Sequence, residues 1–142
     1  MRSGLRLRVD WCVVSEAEKV LVDRFIRGVP YAQSKTKGRL RAPETWTATV
    51  REQTTGLPTV KGPCELLVEF VLPADKFPPD FPYGMDLDNL LKRLLDALED
   101  TVLKDVQGGD SAIVVLQACK RPVRPEEEPG ARVILRPTKF PP

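Results

Sequence analysis

The sequence contains no histidine, and this absence excludes several kinds of active site. Ser-His-Asp triads, Cys-His pairs, histidine general bases and histidine-ligated zinc all need an imidazole ring. Any chemistry performed by this chain therefore uses carboxylates, lysines, cysteines, hydroxyl groups or a hard cation.

Cysteine is also scarce, since the chain has only Cys12, Cys64 and Cys119. Their number is odd, they are widely spaced, and no C-x-x-C pair occurs. This pattern argues against a disulfide framework and a zinc site, and it indicates a reducing compartment.

Long apolar runs are missing as well. The longest, residues 112–116, is far too short to span a bilayer. The N-terminus has basic residues but no apolar core followed by a cleavage site. We therefore expect a cytoplasmic protein without a membrane partner.

The composition is that of a globular domain. The 142 residues are 42% hydrophobic and 30% charged, which predicts a single domain over residues 1–142. The net charge of +2 alone does not indicate nucleic acid. However, basic residues dominate before residue 65, and acids gather between Asp80 and Asp110. A metal-dependent nuclease divides its charge in this way, and so do many ordinary surfaces.

The hydrophobic pattern predicts an α+β fold, with a mixed sheet of about four or five strands and two main helices. The predicted strands are residues 5–14, 64–72, 111–119 and 131–136, of which 64–72 is apolar enough to be central. Residues 44–53 predict a short helix. Residues 19–27 fit either a short helix or a second strand, and residues 137–142 are expected to be a loose tail.

Residues 31–43 form a predicted basic loop. Four positive side chains, a glycine and a tyrosine suit phosphate contact from a mobile arm, although a solvated loop has the same composition. The candidate DNA-binding residues in this loop are Lys35, Lys37, Arg39 and Arg41.

The most informative stretch is residues 84–100, where two acids precede an amphipathic helix. Leucines recur at helical spacing and predict one buried stripe. Asp88 is a natural N-cap, Asp86 points to the same side if its backbone is extended, and Lys92 follows Asp88 by one helical turn. The pattern predicts a metal or catalytic site, but an aspartate before an apolar run also occurs simply as a cap.

The helix is followed by a turn containing Gly108 and Gly109. Asp110 stands at the start of the next predicted strand, and Lys120 stands at its end.

Three segments in order resemble the RusA family of Holliday junction resolvases. They are Asp-Leu-Asp-Asn-x-x-Lys at residues 86–92, Asp-Ala-Leu at residues 96–98, and an aspartate before a strand that ends in lysine. Asp110 and Lys120 fill the last two positions. The resemblance extends over about residues 64–121.

The resemblance implies a homodimeric crossover junction endodeoxyribonuclease, which cuts four-way DNA junctions in recombination and repair. Its cofactor would be Mg²⁺, with Mn²⁺ as a substitute. By the same resemblance, Asp86, Asp88 and Asp110 would bind the metal and Lys92 would be the catalytic lysine. Lys120 is a further candidate DNA-binding residue.

The chain departs from the family pattern at three places. Gly109 stands where the family commonly has a second acid, and the longer turn makes Asp105 a rival of Asp110 as the third carboxylate. Residues 1–20 match loosely and are predicted to be an N-terminal extension. A DNA-binding protein of the same fold that does not cleave is therefore the alternative interpretation.

Overall fold

A computed structural model describes residues 20–31, 41–76 and 85–139. The elements are β1 (Val22–Arg27), α1 (Arg41–Thr54), β2 (Cys64–Leu72), α2 (Leu87–Leu98), β3 (Ile113–Pro122) and β4 (Gly130–Pro137). Short 3₁₀ helices occupy Ala74–Lys76 and Gly109–Ala112. The predicted strand at residues 5–14 lies outside the described residues.

The strands form one mixed sheet of four strands in the order β1-β4-β2-β3. β4 is antiparallel to both β1 and β2, whereas β2 and β3 are parallel. Two parallel strands need a crossover connection, and α2 supplies it. The prediction of an α+β fold with a mixed sheet and two main helices is confirmed.

β2 is the central strand, as its apolar sequence predicted. It pairs with β4 on one side and β3 on the other, and all of its residues except Glu69 are buried. A strand buried on both faces needs apolar residues at successive positions rather than alternate ones.

The two helices pack against each other and contribute to a common core with the sheet. Trp46 and Val50 of α1 and Leu90, Leu94 and Leu98 of α2 are almost completely buried. Each such side chain contributes about 1.5–3 kcal/mol through removal of apolar surface from water. Leu90, Leu94 and Leu98 of the predicted leucine stripe therefore form the buried face of α2, whereas Leu91 and Leu95 are only partly buried.

Two segments near the beginning of the described chain have a secondary structure that the sequence left open or placed differently. Residues 22–27 form a strand, which settles the open choice between helix and strand because β4 offers this segment an antiparallel partner. The helix predicted over residues 44–53 extends over Arg41–Thr54, so Arg41 is not a loop residue. Pro43 is compatible with that start because the first turn of a helix does not need its N–H.

Two boundaries near the end also differ. β3 begins at Ile113 rather than at residue 111, because the preceding residues form a 3₁₀ helix. Pro137 closes β4, and the backbone N–H of Thr138 donates to the carbonyl of Pro63 at 3.0 Å. These two residues of the predicted loose tail are therefore held beside β2. In the described ranges, no helix combines the length and apolar character needed to cross a bilayer.

Candidate functional site

The β2-α2-β3 unit determines where the candidate residues lie. Because β2 and β3 are parallel, their carboxyl ends lie at the same end of the sheet, and the crossover helix begins at that end. The carboxyl end of the strands is where open α/β sheets usually place a ligand. α2 begins there with Asp86 and Asp88, and it runs back toward the opposite end of the strands.

Asp86, and not Asp88, is the N-cap of α2. Its backbone is extended, with φ −65° and ψ 135°, and its carbonyl accepts the first helical hydrogen bond from the N–H of Leu90 at 3.1 Å. The Asp86 carboxylate makes no capping bond; its Oδ2 instead accepts from Asn89 Nδ2 at 3.4 Å. The prediction that Asp88 caps the helix is therefore wrong, because the helix begins one residue before Asp88.

Asp88 lies in the first turn of α2 and is exposed, as is Lys92 one turn later. A carboxylate in this position is favoured by the partial positive charge at a helix N-terminus. No salt bridge joins Asp88 to Lys92 in the described part of the chain. Both side chains therefore face solvent without a mutual ion pair.

Lys120 connects β3 to this helix start. Its Nζ donates a hydrogen bond of 2.6 Å to the carbonyl of Met85, the residue before Asp86. Lys120 is also paired in register with Phe70 on β2. The structure thus brings together four of the predicted site residues, which we call the α2 N-terminal cluster: Asp86, Asp88, Lys92 and Lys120.

Asp110 lies at the opposite end of the sheet, where the parallel strands β2 and β3 begin. Its backbone N–H donates to Glu99 Oε2 at 3.2 Å, and Glu99 is the C-cap of α2. The helix axis from Asp88 to Glu99 extends over about 16 Å at 1.5 Å per residue. The crossover therefore separates Asp110 from Asp86 and Asp88 within one chain.

The rival carboxylate, Asp105, lies at the same end of the sheet as Asp110. Its Oδ2 accepts a hydrogen bond from Thr59 Oγ1 at 2.8 Å and lies 3.7 Å from Lys61 Nζ, just before β2. The hydrogen bond from Thr59 and the nearby lysines lower the pKa of Asp105. In residues 20–31, 41–76 and 85–139, no three His, Cys, Asp or Glu side chains are grouped closely enough to hold a metal ion.

The local backbone conformation explains why glycine, rather than a second acid, stands at position 109. Its φ is +56°, a left-handed conformation that glycine adopts easily, and an added Cβ would lie 2.9 Å from Glu99 Oε2. A second acid at this position would therefore be strained and would face a carboxylate. Sequence reasoning missed Glu99 because nothing in its spacing indicates a bond to the turn before β3.

The predicted DNA-binding residues are only partly covered by the structure. Lys35, Lys37 and Arg39 lie outside the described residues, and Arg41 is the first residue of α1. Lys120 is the one predicted DNA contact with a described side chain, and it donates to Met85.

Arg121 follows Lys120 in β3 and is held by two carboxylates. Its Nε lies 2.9 Å from Glu69 Oε2, and its second guanidinium nitrogen lies 2.6 Å from Glu127 Oε2. The hydrogen bond from Arg121 lowers the pKa of Glu127 to about 2. This ion-pair group connects β3 to β2 and to the segment before β4, and it neutralises Arg121.

The two described cysteines are unsuited to nucleophilic chemistry. Cys64 is buried, and desolvation raises the pKa of its thiol to about 11. Burial also raises the pKa of Cys119. Since the thiolate is the nucleophile, neither residue competes with the carboxylates as a reactive group.

Comparison with known proteins adds no assignment. No protein-family model matches the chain, and no curated protein matches it.

Proposed function

We propose that this protein is a metal-dependent endonuclease that cleaves phosphodiester bonds at four-way DNA junctions. The observation that supports this most directly is the hydrogen bond from Lys120 to Met85. It joins the end of β3 to the aspartate pair at the start of α2. A carboxylate pair with lysines from two elements suits hydrolysis of a phosphodiester.

The α2 N-terminal cluster is compatible with Mg²⁺. This ion prefers oxygen ligands, keeps several waters, and is usually held by one or two carboxylates together with substrate phosphates. Asp86 and Asp88 are exposed and supply such carboxylates. When bound, the ion would polarise the phosphodiester and lower the pKa of a coordinated water.

The lysines have separate roles in this proposal. Lys92 is exposed on α2, where its compact charge can offset negative charge that develops on the phosphoryl oxygens. Lys120 positions the segment before Asp86 through its bond to the Met85 carbonyl. Lys92 is thus the proposed catalytic lysine, and Lys120 is a positioning residue.

The third carboxylate requires a second copy of the chain. Asp110 and Asp105 both lie at the end of the sheet opposite to Asp86 and Asp88, so one chain does not bring a third predicted aspartate to the cluster. We therefore propose a homodimer in which Asp110 of one copy lies beside the α2 N-terminal cluster of the other. Two symmetry-related sites also suit a four-way branch, in which two strands are cut.

A cleavage assay on synthetic four-way junctions tests the proposal. We expect cutting with Mg²⁺ or Mn²⁺ and none with EDTA, and we expect Asp86→Asn or Asp88→Asn to reduce the rate at least about 100-fold. Asp86 makes no capping bond, and asparagine is an equally good N-cap, so stability should change little. Glu52→Gln, an exposed change of a carboxylate to an amide on α1, is the matched control.

Two further variants distinguish the candidates for the third carboxylate. Asp110→Asn should abolish cleavage, and Asp105→Asn should leave it intact. Cleavage that persists in Asp88→Asn would contradict the assigned site.

A DNA-binding protein without cleavage activity is the second candidate. The observation that favours it is the separation of Asp110 from the aspartate pair, together with the left-handed backbone of Gly109, which disfavours a second acid there. Its signature would be a mobility shift of the four-way junction with no product at any divalent-metal concentration.

A further inference from the structure

The first seven residues of β3 are unusual for a strand at the end of a sheet. β3 is the outermost strand of the described sheet, and none of its ten residues is buried. Its charged residues and its proline stand together at the carboxyl end, at Lys120, Arg121 and Pro122, so residues 113–119 include neither kind. Edge strands of monomeric proteins usually carry such residues, because an open apolar edge invites pairing with another strand.

The apolar character of this edge is greatest at Leu116, whose side chain is 44% exposed. Leu116 is paired with Leu66, and Ala118 with Val68, so both lie on the face of the sheet that packs against the helices. On that same face, Leu91 and Leu95 of α2 are only partly buried. A backbone edge that lacks a partner among the described strands is therefore accompanied by a partly exposed apolar surface.

The charges at the two ends of β3 indicate the kind of partner. Asp110 lies just before the strand and Lys120 lies near its end, whereas the charge of Arg121 is already paired with Glu69 and Glu127. Antiparallel pairing of β3 with a second β3 would place the acidic end of each copy beside the basic end of the other. The edge is thus self-complementary in charge under a two-fold axis, as an isologous interface requires.

We propose that the edge of β3 that no described strand covers pairs antiparallel with β3 of a second copy, with the two-fold axis close to Leu116. The two four-stranded sheets then form one continuous sheet, and Leu116 of each copy packs beside its symmetry mate. This inference rests on the proposed homodimer and names its surface. It also accounts for the third carboxylate, since Asp110 of one copy meets the Lys120 end of the other.

Sedimentation of variants at Leu116 tests the interface. The wild type should sediment as a dimer of the 15.9 kDa chain, and Leu116→Lys should raise the dimer dissociation constant at least about 10-fold, because like charges would meet at the axis. Val29→Lys is the matched control, since Val29 is 46% exposed on a different part of the surface. An equimolar mixture of Leu116→Lys and Leu116→Glu should restore the dimer.

Hydrogen exchange gives a second measurement that needs no substitution. Backbone amides in residues 113–119 should become more protected as the wild-type concentration rises through the dimerisation range. A monomeric wild type, or a Leu116→Lys protein that dimerises as tightly as wild type, would overturn the interface. Protection of these amides that is independent of concentration would assign the edge to a segment of the same chain, such as residues 5–14, and would also overturn it.

The outcome for the interface is distinct from the outcome for the nuclease. Sedimentation and exchange do not depend on DNA. A dimer through β3 that never cleaves a junction would refute the proposed activity alone, whereas a monomer that cleaves would refute the interface alone.

Discussion

At the scale of single residues, Asp86 and Asp88 have different structural roles although both precede the same helix. Asp86 is the N-cap by its backbone, but its carboxylate makes no capping bond. Asp88 is one of the helical residues and lies in the first turn. The carboxylates are therefore not used to stabilise the helix start through a capping bond, which leaves them available to bind a cation.

The ion pair between Arg121 and Glu127 should make the stability of the fold depend on pH. Arg121 lowers the pKa of Glu127 from its ordinary value of 4.5 to about 2, so the charged form is favoured in the folded state. The stabilisation is complete above pH 4.5 and is lost as the pH falls toward 2. We expect Glu127→Gln to lower the free energy of unfolding by about 1–3 kcal/mol at pH 7, and the difference from wild type to disappear near pH 2.

Urea unfolding at several pH values measures this effect. Glu128→Gln is the matched control, because Glu128 is 67% exposed and lies 3.7 Å from Arg27, a pair that contributes little. A constant difference between wild type and Glu127→Gln from pH 7 to pH 2 would contradict the assigned ion pair.

At the scale of elements, α2 has one face for the core and another for the proposed site. Leu94 is fully buried in the core, while Asp88, Lys92 and Asp96 are exposed. The helix therefore holds the cluster in place through residues that lie in the core.

Truncation of the buried face should affect stability strongly. We expect Leu94→Ala to lower the free energy of unfolding by about 2–5 kcal/mol, because it removes apolar contacts and leaves a cavity. Asp96→Ala, two residues away and exposed, should change it by less than about 0.5 kcal/mol. Urea denaturation measures both; equal effects of the two substitutions would show that α2 does not pack as described.

At the scale of the whole molecule, the proposed active site depends on which end of the parallel strands each aspartate lies at. The parallel pairing of β2 and β3 places the start of α2 at their carboxyl end and Asp110 at their amino end. The proposed set of three aspartates therefore needs two chains.

Mixing two inactive variants tests this arrangement. A heterodimer of Asp86→Asn and Asp110→Asn chains has one intact site if Asp110 acts on the other copy, and no intact site if it acts within its own chain. We expect mixed and re-equilibrated variants to regain nicking of four-way junctions, up to about half of the sites in each heterodimer. Mixing Asp86→Asn with Asp88→Asn is the control and should regain nothing; failure of both mixtures would contradict the shared site.

The sequence alone determined the elements with strong local patterns. β2 follows from its continuous apolar run and the buried face of α2 from leucines at helical spacing, because these patterns reflect burial on both faces of a strand or on one face of a helix. The proximity of Asp86 and Asp88 to Lys92 along the chain was also predictable, since all three lie within two helical turns.

Only the tertiary structure decided the remaining features. The conformation of residues 22–27 depends on pairing with β4, and the position of Lys120 depends on its contact with Met85, 35 residues earlier in the chain. The location of Asp110 depends on the direction of β3 relative to β2. No local pattern encodes these contacts, because each is formed between segments that are distant in sequence and become neighbours only when the sheet is complete.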